Sequence, residues 1–133
     1  MMERSAPGEW KFIVNVSAME GKFYRHKSAN HPHTNMAKAA LNMMTRTSAA
    51  DYAKASSIYM TSVDTGWIND EKPIEDAAAH ADKHHFQTPL DEIDAAARCL
   101  DPIIDPLQRK AKGEKGVVPE FGSFLKDYAR CEW

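Results

Sequence analysis

The hydrophobic pattern divides the chain into short apolar runs, polar breaks and helical stretches. Residues 11–16 (KFIVNV) form a nearly continuous apolar run. Such runs suit a parallel strand covered on both faces. Residues 17–33 are too polar and too broken for a regular element. Pro32 and Thr34 then offer a helix start, and Met36, Ala40, Met43, Met44 and Ala50 follow at helical spacing. Ala, Leu and Met are strong helix formers, so the helix is expected to run to residues 53–57. Residues 57–63 (SIYMTSV) are short and rich in β-branched and aromatic side chains, and predict a strand. Strand, helix, strand is a βαβ crossover, right-handed in ~98% of cases. Asp64-Thr65-Gly66 closes the second strand as a turn.

The remainder is less regular. A helix is expected around residues 75–83. Thr88-Pro89-Leu90-Asp91 then carries an N-terminal signal, with Thr88 as cap, Pro89 at the first helical position and Asp91 closing a capping box. Leu90, Ile93, Ala97 and Leu100 should line one face, and Pro102 and Pro106 should stop that helix. Residues 110–116 read as a charged loop and 122–128 as a last short strand. Residues 1–10, broken by Pro7-Gly8, read as a disordered lead-in.

Composition narrows the functional classes. A chain of 133 residues is one domain, and 43% hydrophobic residues suffice for a core. A net charge of -2 with scattered basic residues gives no general attraction to nucleic acid or an anionic membrane. No apolar run approaches the ~20 residues of a membrane span. Cys99 and Cys131 fit neither a disulfide scaffold nor a metal knuckle. Free thiols in a reducing, cytoplasmic setting are the expectation. His31 and His33, and His80, His84 and His85, read as solvated surface rather than a metal site.

Four stretches in order, NVSAMEG, NMAKAALNMMTRT, VDTGWI and GSFLKDY, resemble the later half of a short-chain dehydrogenase/reductase. The resemblance covers about residues 11–130. It implies an α/β fold, a partial doubly wound, Rossmann-like sheet of about three parallel strands with flanking helices. It implies NAD or NADP as cofactor. Lys38 takes the place of the lysine in the family's Tyr-x-x-x-Lys. It would contact the cofactor ribose, and Thr65, Gly66 and Ile68 would line the nicotinamide side. Lys38, Thr34 and Ser17 are the candidate catalytic residues. The helix over residues 36–53 would pair with its copy in a homo-oligomer.

The departures from the family bear on the chemistry. The tyrosine position holds Thr34, and the position of the catalytic serine holds Ala18, with Ser17 one residue earlier. A phenol starts near ~10 and a neighbouring cation can bring it towards working pH. An aliphatic alcohol starts far higher, so Thr34 can hydrogen-bond a substrate oxygen but is a poor proton donor. The Gly-rich turn that seats a pyrophosphate is absent from the sequence. The expectation is therefore a truncated, catalytically impaired reductase-like chain. The alternative is a non-catalytic interaction or regulatory module on the same scaffold.

Overall fold

The computed structural model describes residues 8–27, 29, 31–68 and 89–133. The fold is α/β. Strand β1 (Lys11–Ser17) leads through a 3-10 turn (Met19–Gly21) to helix α1 (Pro32–Ser56). Strand β2 (Ile58–Asp64), helix α2 (Glu92–Ala111) and strands β3 (Phe124–Lys126) and β4 (Ala129–Cys131) follow. The sheet order is β1-β2-β3-β4. β1 and β2 pair in parallel from Lys11↔Ile58 to Ser17↔Asp64, as expected. β3 lies parallel to β2, with Ser62 opposite Phe124.

The sheet is mixed rather than three-stranded and parallel, because β4 runs antiparallel to β3. The single strand expected over 122–128 is instead a hairpin. Asp127 and Tyr128 both take positive φ, at 49° and 63°. Two successive left-handed residues give the tight turn whose twist matches an antiparallel pair. Neither residue is a glycine, so the usual hairpin signature is missing from the sequence.

The two helices cover opposite faces. Side chains alternate along a strand, so Asn15, Ser17 and Ser62 look one way and Phe12, Tyr59 and Val63 the other. α1 meets the first set through hydrogen bonds from Asn42 and Thr45. α2 lies on the second side, where the Lys110 ammonium sits 4.3 Å from the Trp10 ring and Trp10 packs edge-on against Tyr59. β2 is buried along most of its length, and Ile58, Met60, Val63, Phe124, Leu125, Ala49 and Ala95 form the core.

The buried stripe of α1 is not the expected one. Met36, Met43 and Met44 are exposed (70%, 58% and 44%). Asn42, Thr45 and Ala49 face the sheet instead. Thr45 is fully buried and its hydroxyl joins three elements. It donates to the Leu41 carbonyl (3.0 Å) and accepts from Asn15 Nδ2 (2.8 Å), with Ser62 Oγ at 2.8 Å. Thr45→Val keeps the shape but strips Asn15 and Ser62 of a partner. A loss of about 2–3 kcal/mol in urea unfolding is expected, partly regained in Thr45→Val/Ser62→Ala because one orphaned group is then removed.

α2 overrides the expected stop. It runs through both Pro102 and Pro106. The two rings are four residues apart and buried on one face, beside Leu125 at the sheet. Burial of this face against the sheet offsets the two missing N–H donors, each costing about 3 kcal/mol in an exposed helix. The N-cap is Asp91, whose Oδ1 accepts from the Asp94 N–H at 2.8 Å. Glu92 and Asp94 in the first turn and Arg109 and Lys110 in the last complement the helix dipole. Of the face expected to be apolar, Ile93 and Leu100 are exposed (72% and 48%). The helix expected over 75–83, the Thr88 cap and the histidines at 80, 84 and 85 lie outside the described residues. Among the described residues, no helix is long and apolar enough to cross a membrane.

Candidate active-site crevice at the strand ends

β1, β2 and β3 all point their carboxyl ends to one side of the molecule, at Ser17, Asp64 and Lys126. A crevice of about 500 Å³ opens there. Met19 and Glu20 line it after β1, Trp67 after β2 and Lys126 at the end of β3. His31 and Asn35 come from the head of α1, and Arg25, His26 and Lys27 from the preceding loop. Open α/β sheets place ligands outside the carboxyl ends of their parallel strands, because loops diverge there and leave backbone groups free.

Each strand end is fixed by a specific interaction. Ser17 is 2% exposed, and its hydroxyl donates to Asn42 Oδ1 at 2.6 Å, with the Lys38 carbonyl oxygen 3.2 Å away. The hydroxyl is thus committed to joining β1 to α1, and it faces the helix rather than the crevice. Lys38 Nζ donates to the Val16 carbonyl at 2.9 Å, so its ammonium sits at the carboxyl end of β1. Thr34 is half-buried one helical turn earlier, with its N–H bonded to the His31 carbonyl at 3.1 Å. Residues four apart share a helix face, so Thr34 and Lys38 lie on one side of α1.

Asp64 organises the end of β2. It is 5% exposed; Oδ1 accepts from the Gly66 N–H at 2.8 Å and Oδ2 from Lys126 Nζ at 3.1 Å. Gly66 has φ +79°, which a side chain resists, and a Cβ there would meet Leu90 Cδ1 at 2.6 Å. Thr65 Oγ1 donates weakly to the Gly66 carbonyl at 3.4 Å. Ile68 forms a parallel bridge with Leu90. Gly66, Trp67, Leu90 and Lys126 border a smaller hollow of about 290 Å³, which shares Trp67 and Lys126 with the main crevice.

The structure therefore places Ser17, the Lys38 ammonium, Thr65 and Gly66 at the ends of β1 and β2 and Thr34 in the first turn of α1, but puts other residues on the crevice wall. Lys38, Thr34, Ser17, Thr65, Gly66 and Ile68 do not line the larger opening; Asn35 represents α1 there. Arg25, His26, Lys27 and Lys126 carry no signal in the sequence that marks them as site residues. Asp64 is the side-chain acceptor of the turn read from Asp64-Thr65-Gly66. The pairing of Asp64 with Lys126 arises only from strand register. Burial pushes the Cys99 thiol up from its ordinary range, which disfavours its thiolate. The Cys131 sulfur lies 3.2 Å from Lys22 Nζ, away from the crevice lining.

No family model matches the chain. An uncharacterized protein of Acanthamoeba polyphaga mimivirus is 38% identical over 131 residues, covering 94% of this chain. The chain spans 25% of that relative's length.

Proposed function

We propose that this chain is the later part of a nucleotide-dependent reductase of the short-chain dehydrogenase/reductase type, with its proton-transferring residue replaced. One observation carries the reading. A parallel β1-α1-β2 unit holds the Lys38 ammonium, through the Val16 carbonyl, at the carboxyl end of β1, with the Gly66 turn closing the neighbouring strand. In such a site a lysine on the first helix and a close-approaching turn after the second strand hold the ribose and nicotinamide of NAD or NADP. Bound cofactor would supply hydride; Lys38 would hold the ribose hydroxyls, and the Gly66 turn would let backbone approach the ring. Thr34 supplies a hydrogen bond to a substrate oxygen, not a proton at neutral pH. The doubly wound arrangement belongs to this proposal, with β1 at the sheet edge where further strands of a longer protein would add. Exposed Met36, Met43 and Met44 support self-association through α1.

The test is cofactor binding. Trp67 stands beside the Gly66 turn and is 64% exposed. Added NADPH is expected to quench its emission saturably in the millimolar range, and Lys38→Ala to weaken that binding about tenfold through loss of a charge-assisted hydrogen bond. No saturable quenching at millimolar NADPH would favour the second reading, a non-catalytic module, which the Thr34 and Ala18 replacements support.

A further inference from the structure

The crevice walls carry a charge pattern that proton chemistry does not use. The whole chain is net negative, at -2. The crevice is the reverse: Arg25, Lys27 and Lys126 line it with the imidazoles of His26 and His31, and Glu20 is the one carboxylate among the lining residues. Lys126 is already neutralised, since its ammonium contacts the buried Asp64 carboxylate. Arg25 and Lys27 are not. The Arg25 guanidinium lies 5.3 Å from the Tyr24 ring, and Lys27 Nζ donates to the Glu20 backbone carbonyl at 2.6 Å. Among the described residues neither meets a carboxylate. The exposed indole of Trp67 also lines the crevice.

We infer that this crevice takes a small molecule carrying a carboxylate or phosphate group, held by Arg25 and Lys27 with its less polar body against Trp67. A guanidinium presents two parallel N–H donors that match the two oxygens of either group, which a lysine alone cannot do. A concave wall with two cations that meet no carboxylate among the described residues focuses positive potential and draws in anions despite the overall negative charge. About 500 Å³ is the size of site that small ligands occupy. The class of substrate so defined is an anionic carbonyl or hydroxy compound; that assignment to a substrate rests on the reductase reading, whereas the anion site itself does not.

The isotopically labelled chain titrated with citrate, and separately with inorganic phosphate, both without nucleotide, tests the inference, with sodium chloride at equal ionic strength as control. Saturable shifts of the Trp67 indole N–H, Arg25 and Lys27 signals are expected for at least one anion and not for chloride. A preference between citrate and phosphate identifies which oxyacid the site selects. In Arg25→Gln/Lys27→Gln the affinity should fall about tenfold or more, because two charge-assisted bonds are lost. Both side chains are exposed, so the variant should fold, and an unchanged amide spectrum away from the crevice verifies it. Arg25→Lys, which keeps the charge but loses the paired donors, should fall between. Anion binding without NADPH quenching would remove the reductase reading and keep the site. NADPH quenching without anion binding would do the opposite. No saturation at millimolar anion, or shifts indifferent to the double variant, overturns the inference.

Discussion

Gly21→Ala is expected to cost about 3 kcal/mol or more and to displace Lys38 from the end of β1. Gly21 ends the 3-10 turn after β1 and is buried against α1. A Cβ built there would lie 2.6 Å from the Lys38 carbonyl carbon and 2.8 Å from both the Lys38 oxygen and the Ala39 nitrogen. All three are backbone atoms of a helix and cannot rotate away. The turn and the helix must separate by several tenths of an ångström, which is overpacking against a rigid wall. The conformation of Gly21 is not the reason, since its φ is not positive. Gly113→Ala is the contrast: Gly113 has φ +80° with open space around it, so alanine there should cost only about 1 kcal/mol of backbone strain. Urea unfolding of the two variants should differ by about 2 kcal/mol or more. Because the Lys38 ammonium bonds to Val16, the Lys38 signals should also shift in Gly21→Ala and stay unchanged in Gly113→Ala. Equal destabilisation by both would show that the close approach of turn and helix is not made.

The β1-α1-β2 unit was legible from sequence because its signals are local. Two apolar runs flank a stretch of strong helix formers, and each ends in a chain-breaking residue. Its boundaries moved by one or two residues, with Ser57 ending α1 at φ 54° before β2 begins. Other features needed tertiary context. Met36, Met43 and Met44 have the spacing of an apolar helical stripe yet face outward. The sheet face under α1 offers Asn15, Ser17 and Ser62, so the helix answers with Asn42 and Thr45. Pro102 and Pro106 read as stops by local rules, and only burial of their shared face reverses that. The Asp127-Tyr128 turn hides its hairpin because both residues take the left-handed conformation without being glycine. At the site, the Lys38 ammonium bonds to Val16 at the end of β1, and the Gly66 turn follows the end of β2. The crevice wall was not legible, because it combines a loop, a helix head and strand ends brought together only by the parallel register.

Lys22 was equally hidden, and its removal should have the second large effect. Lysine is rarely buried, yet Lys22 is 1% exposed. Its ammonium lies 3.9 Å from the Phe124 ring centre, donates to the Glu132 carbonyl and contacts Cys131 Sγ at 3.2 Å. It thereby ties the segment after β1 to β3 and the C-terminal residues. Lys22→Ala forfeits a desolvated cation–π contact of about 2 kcal/mol, a charged hydrogen bond of about 1.5–3 kcal/mol and the packing of the side-chain stem. Relief of the buried charge returns several kcal/mol. The net loss should be about 3 kcal/mol, or about 10 °C in Tm for a chain of this size. Lys22→Met separates the terms: it restores the stem, removes the charge and should lie within about 1.5 kcal/mol of the parent. Both variants free the Glu132 carbonyl. The amides of residues 129–133 should therefore exchange faster in each, and the Trp133 ring, packed 6.3 Å from Phe124, should become more solvent-accessible to quenchers. Lys22 also begins the segment that carries Arg25 and Lys27. Anion affinity of the crevice should drop in Lys22→Ala more than in Lys22→Met, in proportion to how far the loop loses its anchor. A Lys22→Ala chain that melts with the parent and binds citrate equally well would mean that Lys22 is solvated, and that its burial contributes nothing to the wall.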